Sequence, residues 1–175
     1  FHLEDSRLHR VTELREQGYI EKDVYPFAPE DFEDAKDNFH RVLSLVGEIA
    51  ADTLAPAASD VDREGCRLEN NEVTYAKGTQ EALKRFAQAD LFGFTLPREY
   101  GGLNLPITVY MMAIEIVSRA DASFMNLFGL QDIGDTICEF GDEEQKMEYL
   151  PRFSSGEATG AMALTEPDAG SDLQA

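Results

Sequence analysis

Between Glu30 and Leu54 the apolar residues Phe32, Ala35, Phe39, Val42, Leu43, Val46, Ile49, Ala50 and Leu54 recur at spacings of three and four. That is the helical period, and it gathers these side chains on one stripe that must be buried against another element. A long helix of this kind commits the front of the chain to helix-on-helix packing. Pro29 suits its first turn, and Pro56 is expected to end it. The period returns downstream. Thr79 is expected to cap a helix that turns Leu83, Phe86 and Ala87 inward. Ile107 to Arg119 reads as a helix apolar nearly all round, and Ser123 to Phe140 as another, stopped by Gly141 as a C-terminal glycine. Asp142 with Gln145 has the pattern of a capping pair for a last short helix ending before Pro151. Ahead of all these, Leu3 to Gln17 reads as a shorter helix, followed by the aromatic-studded connection GYIEKDVYPFAPE.

The period fails in three places. Residues 56–78, PAASDVDREGCRLENNEVTYAKG, collect Asp, Asn and Gly and are expected to form a long surface connection. In LFGFTLPREYGGLNLP, two prolines bracket a Gly-Gly pair and require a sharp turn. After SSGE, the run Ala158 to Leu164 is small and apolar and reads as a strand. The expected fold class is therefore mostly α, with the start of a β-domain at the C-terminal end. Its parts are an N-terminal extension (1–30), a helical domain (31–156) and the beginning of a β-domain (157–175).

Composition narrows the partners. Fifteen basic against 34 acidic residues give a net charge of −19, which repels nucleic acid and anionic lipid surfaces. No apolar run approaches the roughly 20 residues of a membrane span, so membrane insertion is not expected. Cys66 and Cys138 lie far apart with no CxxC or histidine neighbour, and His2, His9 and His40 read as scattered surface or helix-face residues. No metal is assigned, and a reducing compartment fits best. The chain begins at Phe1 without the basic-then-apolar order of a secretory signal, so a processed start or a piece of a longer protein is expected.

Read by its chemistry, the helical part is a packed core, and nothing before residue 158 declares a reaction. The string TEPDAGSD, Thr165 to Asp172, is different. Glu166 precedes proline and is pushed to an extended backbone, and Pro167 fixes its own backbone angle, so a turn begins at a defined point. Gly170 can take a positive φ and admits close approach to the backbone. Thr165 and Ser171 then present hydroxyls on either side, with backbone N–H groups, a set able to donate to a heteroaromatic edge and to a phosphate. An ordinary strand-to-loop turn capped by Asp and Ser fits the same residues.

Taken whole, the string resembles the hallmark T-E-P-x-A-G-S-D of the acyl-CoA dehydrogenase family. LAPAASDVDREG, LFGFTLPREYGGLNLP and FGDEEQKMEYLPRFSSGEATGAMALTEP look like that family's successive landmarks, so the resemblance spans about residues 40–175. It implies an N-terminal helical domain, a β-barrel-like middle domain and a C-terminal bundle, with FAD between the last two. The threonine role, bonding the pyrimidine end of the flavin, carries to Thr165, with Leu164 and Met162 as flavin neighbours. Met162 stands where many members carry an aromatic residue. The serine role, contacting FAD phosphate and acyl-CoA, carries to Ser171, with Gly170 beside it. Phe124, Leu127, Phe128 and Gln131 fall on the helix that builds part of the acyl pocket, and Phe128 is the residue expected to meet substrate. The implied reaction is α,β-dehydrogenation of an acyl-CoA thioester: a glutamate takes the α-proton and the β-hydrogen leaves as hydride to the flavin. Electrons pass to an electron-transferring flavoprotein. The family's base is expected beyond Ala175, Glu166 is not that base, and these residues alone are expected to be inactive. The resemblance also implies a homo-oligomer, in a bacterial cytoplasm or a mitochondrial matrix. An acyl-CoA oxidase, a flavin monooxygenase or a helical adaptor without catalysis stand as alternatives.

Overall fold

In the computed structural model, which describes residues 2–172, the chain is a helical body with one small hairpin on its surface. A 3-10 turn, His2–Glu4, leads to α1 (Ser6–Arg15), capped by the Asp5 carboxylate on the Arg7 amide. The aromatic connection winds through turns to Asp31, which caps α2 (Phe32–Ile49).

Pro56 does not end that helix. The chain passes through a π-type turn, Ala50–Leu54, into α3 (Ala55–Glu64), with Pro56 in the first turn of α3. The Ala55 N–H donates to the Ala50 carbonyl, one residue further back than in an α-helix. This widened turn resets the ladder before the residue that has no N–H to give. Phe32–Glu64 is thus one continuous helical stretch, long and apolar enough in part to cross a bilayer by length and composition. Its stripe is occupied here, because Phe39, Val46, Ile49 and Leu54 are buried in the core.

The expected surface connection contains more order than its composition suggests. β1 (Arg67–Glu69) pairs antiparallel with β2 (Glu72–Thr74) in an exposed hairpin, Leu68 opposite Val73. Asn70 and Asn71, at positive φ of 55° and 63°, make its turn. Next, α4 (Lys77–Gln88) is entered from Ala76, and Thr79 lies in its first turn instead of capping it.

The Leu91–Pro106 stretch folds back on itself. Leu103, Asn104 and Leu105 donate backbone N–H groups to the carbonyls of Gly93, Leu96 and Phe94, with a 3-10 turn Arg98–Tyr100 at the tip. Gly102 is required by close approach, since a Cβ would stand 2.0 Å from the Leu96 carbonyl oxygen.

α5 (Ile107–Ala120) buries Val109, Tyr110, Ala113 and Val117 and leaves Ile107 and Met111 exposed, so it is buried on one face and not all round. Asp121 caps α6 (Ala122–Gly129), and the turn Leu130–Asp132 joins it to α7 (Ile133–Phe140). The expected single helix over this span is therefore broken in its middle. Gly141 closes α7 at φ −71° and not in the left-handed region; a Cβ there would lie 2.5 Å from the Ile137 carbonyl oxygen. α8 (Glu143–Ser155) opens with the expected capping box of Asp142 and Gln145, and it continues through Pro151. The Met147 carbonyl, which loses its partner to the proline, belongs to a residue 65% exposed, so water can replace the missing N–H. α2, α4, α5 and α6 share the main core. Leu96, Tyr100, Leu150 and Phe153 form a second one under α8, with Ala158 packed against it.

Candidate functional site

The segment that carries the motif leaves the body under tight control. α8 ends in the left-handed Gly156 (φ 74°), where a Cβ would stand 2.4 Å from the Phe92 ring. The Ala158 N–H donates to the Arg152 carbonyl at 3.0 Å. Gln131, buried in the turn after α6, then holds the chain at both sides of its amide. Its Nε2 donates to the Ala158 carbonyl at 3.3 Å, and its Oε1 accepts from the Gly160 N–H at 3.0 Å. The chain lies so close that a Cβ on Gly160 would fall 2.1 Å from the Leu130 carbonyl oxygen.

Beyond Gly160 the chain leaves the body's surface. Residues 161–168 are exposed, with Met162 at 58% and Leu164 at 46%. The expected strand is not formed: among the described residues no backbone hydrogen bond engages the amides of Ala161 to Thr165. An edge without a neighbour has no ladder to join. The turn that follows is set by the Glu166 N–H donating to the Ala169 carbonyl at 2.7 Å across Pro167 and Asp168. It brings Gly170 against Thr165, where an added Cβ would lie 2.9 Å from Thr165 Cγ2 and 3.1 Å from Oγ1. Close approach, and not a positive φ, is what this glycine provides. Thr165 and Ser171 are both exposed. Glu166, Asp168 and Asp172 stand in the same stretch with no basic residue, so any phosphate recognised here meets hydroxyl and N–H donors and not a side-chain cation.

Met162, Leu164, Thr165, Gly170 and Ser171 therefore lie together on one presented segment. Phe128 does not join them. Its side chain is 0% exposed, with ring centroids 5.3 Å from Phe86, 5.7 Å from Phe94 and 5.5 Å from Tyr110. Phe124 is buried in the same cluster, while Leu127 on that helix is half-buried. The anchoring role of Gln131 was not readable from the residues. A tie between one side chain and a backbone 29 positions further on leaves no local pattern, and only Gly160, a glycine inside an apolar run, hinted at close approach. Among the described residues no group of His, Cys, Asp and Glu is placed to hold a metal.

The sequence model of the acyl-CoA dehydrogenase N-terminal domain matches residues 36–157. The chain belongs to the acyl-CoA dehydrogenase family. It is 37% identical over 139 residues to the 3-methylmercaptopropionyl-CoA dehydrogenase of Ruegeria pomeroyi, covering 78% of this chain and 24% of that protein. It is 33% identical over 144 residues to the mitochondrial isovaleryl-CoA dehydrogenase of Solanum tuberosum, covering 81% of this chain and 32% of the relative. Its fold matches the acyl-CoA dehydrogenase complexed with FAD from Bacillus anthracis with a TM-score of 0.65 and 28% identity, over 83% of this chain and 23% of that one. The chain thus spans 24% to 32% of the length of these two curated relatives. As a family member, it presents its TEPDAGSD segment immediately after the matched helical domain.

Proposed function

We propose that the protein containing this chain is an FAD-dependent acyl-CoA dehydrogenase that converts an acyl-CoA thioester to the enoyl-CoA and passes electrons to an electron-transferring flavoprotein. In this reading, residues 31–156 are its N-terminal helical domain, residues 1–30 an extension, and residues 157–175 the start of its β-domain. The observation that carries it is the TEPDAGSD turn, closed by the Glu166 N–H on the Ala169 carbonyl and presented outward with Thr165 and Ser171 exposed, on a body that belongs to this family.

The donor set fits the cofactor. Thr165, through its hydroxyl and backbone, would hold the pyrimidine edge of the flavin ring. Ser171 and the Gly170 amide would meet a phosphate, with Ser171 also facing acyl-CoA. Met162 and Leu164 would lay apolar surface beside the ring and exclude water from it. FAD, when bound, supplies the acceptor for the β-hydrogen. This chain's own residues bind and orient. Gly170, lacking the Cβ that would fall 2.9 Å from Thr165 Cγ2, lets Thr165 lie against the turn, and the Gln131 anchor sets where the segment departs. Phe128 supports the acyl-pocket wall from within the core, behind the half-buried Leu127. The catalytic glutamate is assigned elsewhere in the protein. The mitochondrial and bacterial relatives support a mitochondrial matrix or bacterial cytoplasm for the whole enzyme, which is further proposed to be a homo-oligomer.

Expression of the full-length protein tests the reading. A flavin spectrum, and acyl-CoA-dependent reduction of an artificial electron acceptor, are the expected outcomes; a colourless protein inert to acyl-CoA would favour a non-catalytic adaptor. Within the full-length protein Thr165→Ala should weaken FAD retention by roughly 1 kcal/mol or somewhat more. Unchanged affinity together with an unchanged reduction potential would remove Thr165 from the site. Residues 1–175 alone should retain no stoichiometric flavin.

A further inference from the structure

Arg98, at the tip of the Leu91–Pro106 fold-back, is a buried charge that the reaction above does not use. Its side chain is 2% exposed. Both its terminal nitrogens donate to the Glu16 carboxylate at 2.7 Å, and Nη1 donates also to Glu21 at 2.7 Å. Phe27, Phe39, Val42, Leu103 and Leu105 line the same cavity of about 190 Å³ as Glu16 and Arg98, so apolar walls flank the ion pair. Directly before Glu16, Arg15 reaches the same fold-back: its Nε donates to the Asn104 carbonyl at 3.3 Å, and its Nη2 donates to that of Thr95. Both glutamates and Arg15 lie ahead of the matched stretch 36–157, and Arg98 lies inside it. An ion pair among apolar walls adds little net stability over apolar packing, so its physical merit is that a planar fork held by two carboxylates permits one arrangement.

What that arrangement fixes can be followed through the contacts. Leu96 and Tyr100, on either side of Arg98, are the residues of the second core that receive Leu150 and Phe153 of α8 and pack against Ala158. Gly93, in the same fold-back, lies so close to α8 that a Cβ would be 2.8 Å from Ser154 Oγ. Leu96 also packs against Gly134, in the α7 that follows the turn bearing Gln131. Ala158 and Gly160 are the two points that Gln131 holds.

We propose that Arg98, gripped by Glu16 and Glu21, is a positioning residue: the N-terminal segment clamps the 93–105 fold-back, the fold-back seats the end of α8, and the motif-bearing segment is thereby launched from Gly160 in one direction. The link to flavin binding rests on the function proposed above; the clamp itself does not.

The test uses the full-length protein with Arg98→Lys, which keeps the charge and loses the fork, and the milder Glu21→Gln. Peptide-resolved hydrogen exchange is followed at residues 93–105, 156–161 and, as reference, 107–120, together with FAD dissociation. The expected result is exchange about tenfold faster at both 93–105 and 156–161, an unchanged 107–120, and faster loss of FAD. Faster exchange confined to 93–105 would overturn the proposal, because the clamp would then be local. Unchanged exchange in both variants would overturn it too, and so would equal acceleration in all three regions, which marks a general loss of stability. A wild-type protein that binds no FAD would sink the flavin assignment, while the exchange results would still decide the clamp.

Discussion

Tyr110 donates its hydroxyl to the Phe128 carbonyl at 2.8 Å and lies 3.2 Å from that of Gly129, closing the end of α6 from inside the core. Burial pushes its phenol well above the ordinary tyrosine range, and Asp132 and Asp135 push the same way. The fold therefore favours the neutral form. The stability this adds is complete below the unfolded pKa of about 10 and is lost as pH rises beyond it. Tyr110→Phe should cost about 1 kcal/mol at neutral pH, and the gap between the two proteins should narrow in urea titrations above about pH 10. A gap that stays constant would show that the phenol does not titrate with unfolding. Gln131→Ala removes both ties to the departing segment and should cost about 1–2 kcal/mol, with faster exchange at Gly160. The singled-out residues differ in how visible they were. TEPDAGSD is contiguous, so the family was legible in it before any fold was known. Gln131 and Phe128 sat on the helix read as a pocket wall, but residue type and helical position do not say which way a side chain faces. One proved to be an anchor and the other core.

Among elements, the helices were legible because a stripe three and four apart has few other uses. The errors gather at proline. Pro56 and Pro151 were both read as terminators, and both lie within continuing helix. At Pro56 a π-type turn absorbs the missing donor; at Pro151 the bereft carbonyl belongs to an exposed turn. Neither remedy is encoded in the proline itself, and both depend on what the preceding turn can tolerate. Pro151→Ala should restore the hydrogen bond to the Met147 carbonyl and raise stability by about 1 kcal/mol, seen as a higher thermal midpoint. A lowered midpoint would mean that the ring packs where the exposed position suggests it does not. The hairpin Arg67–Thr74 was missed for a related reason. Three residues per strand, all exposed, carry no alternation to read, and the paired asparagines were its one signal.

At the scale of the whole molecule, a net charge of −19 sets a repulsion that the mostly exposed ion pairs cannot cancel. Raising sodium chloride from about 20 mM to about 0.5 M should therefore increase the thermal midpoint by a few degrees, since screening weakens long-range repulsion more than it weakens the buried Arg98 pair. A falling midpoint would mean that the surface pairs outweigh the repulsion. The same charge bears on self-association. Ala161 to Leu164 is an exposed apolar stretch, and its amides, which make no backbone hydrogen bond among the described residues, could pair with another copy of the chain. Glu157 stands just before that stretch, and Glu166, Asp168 and Asp172 stand just after it. Like charges brought edge to edge repel, so the acidic residues on both sides of the stretch disfavour its pairing with a second copy of itself.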